Sequence, residues 1–240
     1  MSDQFLQTKT RLDRFISSKK NINKRDVRLI LAQKRIVVDG AIASDVQQII
    51  HPFSQVFFDG ESLLNTQAYY LKLHKPTGVV SATSDKIHQT VIDIIKHPSK
   101  HTLHITGRLD LNSSGLLLLT NDSEWSRKLM SPDNKITKHY RVTTEKPITQ
   151  DYIEAFHDGM YFPYEDITTR PVLLKIINQN EAELTLTEGR YHQIKRMFGR
   201  FKNPVIKIHR ISIGGIILDS NLLAGESRSL YENEINLFKN

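Results

Sequence analysis

GRLDLNSSGLLLLTND, residues 107–122, joins a charged triplet to a wholly apolar run. Arg108, Leu109 and Asp110 stand just ahead of a polar turn, Asn112-Ser113-Ser114-Gly115. The apolar run, residues 116–119, is short and flanked by turn residues, which predicts a buried strand rather than a helix. Asp110 then lies at the lip of a buried strand, where a side chain reaches a cleft from rigid backbone. An Asp among Asn, Ser and Gly is also ordinary turn chemistry, because these side chains cap nearby backbone groups. The stretch by itself therefore argues for the strand more strongly than for the acid's role.

The chain has 240 residues, 39% of them hydrophobic and 25% charged, enough for a real core and for two modest domains. No window of eighteen apolar residues occurs, so no membrane-spanning helix is predicted. The opening MSDQFLQTKT lacks the apolar run of a secretion signal. Cysteine is absent, which excludes disulfides, thiolate chemistry and cysteine-ligated metal, and a cytoplasmic protein is the expectation. The formal net charge is +7, and residues 1–35 hold ten Lys or Arg against three Asp, a difference of seven. The other 205 residues balance at 23 basic and 23 acidic. A basic unit ahead of a neutral body suggests a module for a polyanion.

Within that unit, Thr10 with Asp13 and Asn23 with Asp26 place a capping side chain three residues before an acid, marking two helix starts. Leu12, Phe15 and Ile16 form the buried stripe of the first helix, and Val27, Ile30 and Leu31 that of the second, with Lys24, Arg25 and Arg28 outside. Asp39-Gly40 between two short apolar runs signals a hairpin. Asn65-Thr66-Gln67 reads as a linker. Arg11, Arg14, Lys24, Arg25, Arg28, Lys34 and Arg35 are the candidate RNA contacts of this unit; a merely solvated basic face is the plainer alternative.

Residues 69–73 read as a strand, Lys75-Pro76-Thr77-Gly78 as the turn after it, and residues 90–96 as a helix stopped by Pro98. His97, His101 and His104 share no helical face and no carboxylate joins them, so a surface loop is expected there rather than a metal site. Asp122 or Ser123 can cap a helix carrying Trp125 and Leu129. Residues 136–144 alternate as a strand, with Ile136, Tyr140, Val142 and Thr144 on one face and Arg141 on the other. Residues 182–186 form another strand, running into Glu188-Gly189. Helical periodicity over residues 188–201 puts Tyr191, Ile194, Met197, Phe198 and Phe201 on the buried face, Lys195 at its border and Arg196 pointing away. A border lysine can reach a half-buried carboxylate, while an outward arginine suits phosphate. Residues 211–230 read as strands around Gly214-Gly215, closing an α+β body.

GRLDLNSSGLLLLTND, Lys138-His139-Tyr140-Arg141-Val142, EGRYHQIKRMF and Ile213-Gly214 with Leu218 closely resemble, in order, the motifs of the RsuA-type pseudouridine synthases. The two basic helices and hairpin resemble an S4 RNA-binding domain. The resemblance implies an α+β fold: a small N-terminal S4-like helix-helix-hairpin domain over residues 10–67, and a larger catalytic domain with a mixed, mostly antiparallel sheet over 68–240. It implies isomerisation of a uridine so that C5 rather than N1 bonds the ribose, with Asp110 as the catalytic carboxylate, Tyr140 against the base and Lys195 beside the acid. It further implies RNA contacts from Arg108, Arg190, His192 and Arg196. Tyr191-His192-Gln193 is similar to enzymes of 16S ribosomal RNA, at the uridine 516 class of site; large-subunit relatives carry Asn-Arg there. His74 stands where the family usually has Asn.

The implied chemistry suits these residue types. Breaking a glycosidic bond builds positive character at the sugar carbon. A carboxylate can attack that carbon or abstract a sugar proton to form a glycal. The detached uracil re-adds through C5, so one acid suffices and no cofactor or metal is called for. Lys195 would keep a buried Asp110 charged. The implied partner is ribosomal RNA or a partly assembled small subunit, met by a monomer away from any membrane. Three alternatives compete: a 23S enzyme, a noncatalytic RNA-binding or ribosome-assembly protein, and a hydrolase pairing Asp110 with Asp122 or Glu188.

Overall fold

The computed structural model describes residues 9–239, so the first eight residues, most of the opening MSDQFLQTKT, lie outside the described residues. Contacts divide the chain into two units, Met1–Ala68 and Tyr69–Asn240. In the first, β1 (Thr10–Arg11) leads into α1 (Leu12–Lys20), which is followed by α2 (Lys24–Ala32), β2 (Ile36–Val38), β3 (Ala41–Ile42), β4 (Ile49–Ile50), β5 (Val56–Phe58) and β6 (Glu61–Leu64). Leu12, Phe15, Ile16, Val27 and Leu31 pack with Ile36, Val38 and Val56, and Ile30 is only partly buried. The capping expectation needs correction. Thr10 pairs with Ile50 of β4 instead of capping, Asp13 turns to Arg11 at 2.6 Å, and Asn23 occupies the cap position without a side-chain bond. The hairpin between β2 and β3 forms at Asp39 and Gly40, with φ of 51° and 81°, the two positive values a type I′ turn needs. β3, β2, β5 and β6 make an antiparallel sheet in that order.

The second unit contains β7 (Tyr70–Lys75), α3 (Val91–Ile94), β8 (His104–Thr106), β9 (Ser113–Thr120), α4 (Ser123–Met130), β10 (Lys138–Thr144) and α5 (Asp151–Asp158). Then come β11 (Tyr161–Phe162), β12 (Ile167–Thr168), β13 (Leu173–Asn178), β14 (Glu181–Leu186), α6 (Gln193–Gly199), β15 (Val205–Ile213), β16 (Ile216–Ile217), β17 (Ser227–Ser229) and α7 (Glu232–Asn236). The main sheet runs β13-β14-β10-β15-β9-β7-β17, with β16 beside β15 and β8 beside β9. Among the described strand pairs of this sheet only β15–β9 is parallel. It is the α+β, mostly antiparallel architecture expected. Leu117, Leu119, Tyr140, Val142, Leu184 and Ile194 belong to one core.

Several boundaries move, each for a local reason. β9 already starts at Ser113, so Ser113, Ser114 and Gly115 are strand and the turn closes earlier, where Ser113 N–H donates to the Asp110 carbonyl at 3.0 Å. Gly115 makes this possible: its φ is 107°, and a Cβ there would lie 2.3 Å from the Arg210 carbonyl oxygen of β15. β7 runs on to Lys75, opposite Gly115, rather than stopping before it. α3 is one turn, started by a capping box of Thr90 and Asp93. His104 is in β8 rather than a loop, and His97 packs edge-on against Tyr69 at 4.6 Å. Asp122 caps α4, accepting from Glu124 N–H and Trp125 N–H. α6 is shorter than the periodicity predicts, and Tyr191 is 75% exposed rather than buried. Gln193 ties residues 188–193 into a turn, donating to Glu188 and accepting from Arg190 N–H. No helix among the described residues is long and apolar enough to cross a membrane.

Candidate active site

Asp110 stands on the loop that enters β9, two residues after Arg108, and its carboxylate faces α6 from across that loop. Lys195 Nζ lies 3.2 Å from Asp110 Oδ2, and His192 Nε2 lies 3.5 Å from the same oxygen. His192 takes a left-handed φ of 50° just before α6, and its ring stacks on Tyr191 at 3.9 Å. One third of the Asp110 side chain remains exposed, so it is the half-buried carboxylate that a border lysine can reach. What the lysine supplies here is a neighbouring positive charge at a half-open carboxylate.

The loop is held from behind by two buried cations that the sequence reading passed over. Lys75 is fully buried, and its ammonium donates to the carbonyls of Pro76, Leu111 and Ser113, the last at 2.7 Å. Burial pulls it down to about 8; the Asp110 carboxylate opposes that fall and Arg210 adds to it. Arg210 is 1% exposed. Its Nε donates to the Leu116 carbonyl at 2.8 Å, one terminal nitrogen to Gly107 at 2.6 Å, and the other to Arg108 at 3.3 Å. That second nitrogen is also 3.5 Å from the Tyr140 hydroxyl, a marginal contact. Both residues had a signal in the sequence: each is a charge on the apolar phase of a strand, Lys75 in step with Leu71 and Leu73, Arg210 in step with Ile208. A charge there needs partners, and carbonyls of a bent loop provide them.

Tyr140, 8% exposed, lies on the core face of β10 with Val142 and Thr144, as the alternation predicted. Asp110, Arg108, Tyr140 and His192 line two adjoining hollows. One, of about 640 Å³, also takes in Lys138, Glu188 and Arg210; the other, of about 100 Å³, takes in Lys195, Ile194 and Leu186. Arg108 is exposed at the lip and makes no side-chain ion pair among the described residues.

The remaining candidates divide. Arg190 and Arg196 are held by acids: Arg190 Nε by Glu188 at 3.1 Å, and Arg196 by both oxygens of Glu165, with its guanidinium 3.7 Å over the Phe162 ring. The outward arginine of the helical wheel is thus engaged by Glu165 rather than open to phosphate. In the first unit, Arg11 pairs with Asp13 and Arg35 with Asp59. Arg14, Lys24, Arg25, Arg28 and Lys34 are exposed. A second catalytic acid is not on offer from the two named by the hydrolase alternative. Asp122 is occupied by the α4 cap and the Tyr70 hydroxyl, and buried Glu188 accepts from Arg170 N–H, Gln193 and Arg190.

The RNA pseudouridylate synthase family profile matches residues 69–199. A Pseudomonas aeruginosa protein named ribosomal small subunit pseudouridine synthase A is 46% identical, covering 94% of this chain and 98% of its own. The Escherichia coli K12 protein of the same name is 38% identical, with the same coverage of 94% and 98%. A solved structure described as a pseudouridylate synthase is similar at a TM-score of 0.69 and 34% identity, covering 94% of this chain and 98% of that one.

Proposed function

The chain belongs to the RNA pseudouridylate synthase family, and on that premise we propose that it isomerises one uridine of 16S ribosomal RNA, at the uridine 516 class of site. The observation that carries the mechanism is a single half-open carboxylate, Asp110, with a lysine 3.2 Å away and a tyrosine on the wall of the same hollow. The target nucleotide leaves its stack to enter, at a cost of a few kcal/mol. Tyr140 returns part of this by packing on the base, on the order of 1–3 kcal/mol. Asp110 acts at the sugar carbon, by attack or by proton abstraction, with the Lys195 ammonium 3.2 Å from its carboxylate. The freed uracil, carrying the electron pair of the broken N1–C1′ bond, turns and bonds through C5. The C5 proton then passes to the Tyr140 hydroxyl as that hydroxyl releases its own, and N1 takes up a proton. The hydrogen lost from C5 is replaced by one gained at N1, so the product has the composition and mass of the reactant.

The first unit acts, in this reading, as an S4-like RNA-binding module over residues 10–67, with residues 68–240 as the catalytic domain. The exposed Arg14, Lys24, Arg25, Arg28 and Lys34 support it. Replacing Lys24, Arg25 and Arg28 together by Ala should weaken RNA binding at low salt and reduce its salt dependence, by roughly 0.7–0.9 in log–log slope for each phosphate no longer neutralised. An unchanged slope would remove the module. The partner is ribosomal RNA or a partly assembled small subunit in the cytoplasm, and the acting form is a monomer.

The deciding experiment incubates the protein with 16S transcripts, 23S transcripts and small-subunit assembly intermediates, then maps pseudouridine by reverse-transcription stops. One new site in the 16S samples is expected. Modification confined to 23S RNA, or base loss without isomerisation, would overturn the assignment.

A further inference from the structure

We propose that Lys138 forms a phosphodiester subsite in the larger hollow, taking a backbone phosphate of the substrate strand beside the flipped uridine. The proposal rests on the isomerase reading above, since it needs RNA in that hollow. The two hollows share Asp110 and Tyr140, yet each has its own lysine: Lys195 lines only the smaller and Lys138 only the larger. Lys195 is committed to Asp110. Lys138 stands two residues before Tyr140 on β10, on the same side of the sheet, and no carboxylate lies within 4.0 Å of its ammonium among the described residues. Of its three donor hydrogens, one has an acceptor there, the Ile136 carbonyl at 3.2 Å.

The surroundings make this a site rather than a solvated lysine. Burial pushes the Lys138 ammonium down, nearby Arg210 pushes it further, and Glu188 alone resists. Glu188 is itself occupied by three donors. A half-buried cation beside another cation, without a carboxylate of its own, lacks a counter-charge that a ligand can supply. An RNA strand carries one negative charge per nucleotide, and the phosphates flanking an extruded nucleotide follow it toward the cavity. Arg108, exposed on the shared rim, adds a second cation for the same strand. A neutral uracil carbonyl would accept a hydrogen bond from Lys138 but would leave the charge uncompensated, so a phosphate is the better fit.

The test uses the full chain and a 16S fragment containing the modified site, with equilibrium binding measured over a range of salt. Lys138→Met should bind about tenfold more weakly at low salt, with a log–log slope shallower by roughly 0.7–0.9; Lys138→Arg should keep the wild-type slope. Methylphosphonate substitution of each phosphate flanking the target should cost the wild type about tenfold at one position and cost Lys138→Met nothing further there. A wild-type slope in Lys138→Met, or equal losses in both proteins at every position, overturns the proposal. Should Lys138→Met fail to fold, the scan on the wild type still decides: no sensitive phosphate beside the target refutes it. Pseudouridine formed by the wild type in the same samples reports separately on the isomerase reading.

Discussion

Replacing Arg210 by Met should both destabilise the protein and disable it, for one reason. The guanidinium is 1% exposed and satisfies the carbonyls of Gly107, Arg108 and Leu116, two of them at 2.6 and 2.8 Å. Met fills part of the space but donates nothing, so two well-bonded buried carbonyls lose their donor, at about 1–3 kcal/mol each. A loss of about 3 kcal/mol follows, and at about 2–4 °C per kcal/mol for a protein of this size, Tm should fall by about 6–12 °C. Gly107 and Arg108 lead directly into Asp110, so the carboxylate shifts with them. A displacement of ~1 Å at a reacting group costs on the order of 100-fold in rate. Calorimetry gives the first number; tritium release from RNA containing 5-tritiated uridine, measured well below the variant's Tm, gives the second. Arg210→Lys keeps the charge and can reach one carbonyl, so it should fall between. A Tm within about 2 °C of wild type, or full turnover in Arg210→Met, would refute the view that this arginine holds the loop.

Three further outcomes are expected. Lys195→Met should lower turnover far more than RNA affinity, because its contact is with Asp110 at 3.2 Å; normal turnover with weakened binding would reverse that assignment. Tyr140→Phe should retain binding while the final proton transfer slows, read as a new isotope effect with 5-deuterated uridine; full activity with no isotope effect would exclude the hydroxyl. Acid should loosen the C-terminal clasp, in which buried Lys72 meets Glu234 at 2.6 Å and Asp219 at 3.2 Å, with Arg228 bridging both acids. Burial raises Glu234, but bonds from Arg228 and Lys72 outweigh it, and Arg228 holds Asp219 low. Both folded values lie below the unfolded ones, so this stability is complete above the ordinary carboxylate range and is lost as pH falls through the folded values. Tm should drop below about pH 4 less steeply in Glu234→Gln than in wild type; parallel curves would show that the clasp does not titrate.

Much was readable from residue order alone. Four leucines between turn residues specify a strand whatever surrounds them, and Asp39-Gly40 specifies its hairpin because few residue pairs accept two positive φ values. The alternation around Tyr140 put that ring on the buried face, whereas helical spacing did not separate Lys195 from Arg196, whose side chains are 34% and 27% exposed. These are local rules, with the partner groups a few residues away. The start of β9 escaped them, since Ser113-Ser114-Gly115 looks like a turn until Arg210 of a strand nearly a hundred residues later passes close to Gly115. Tyr191 was misplaced for the same kind of reason, because the bonds of Gln193 within residues 188–193 override helical periodicity.

The sequence by itself determined which groups are present: one acid at the lip of a strand, a tyrosine on a buried face, a lysine at the edge of a helix, and a basic excess confined to the first seventh of the chain. Only the tertiary structure decided which of them meet, and which cations answer to acids or carbonyls instead. Arg196 belongs to Glu165, Arg210 and Lys75 belong to the loop ahead of β9, and Lys138 has no carboxylate in reach among the described residues. Long side chains pair across strands far apart in sequence, and electrostatic attraction acts over ångströms in space, so residue order alone cannot state who the partner is.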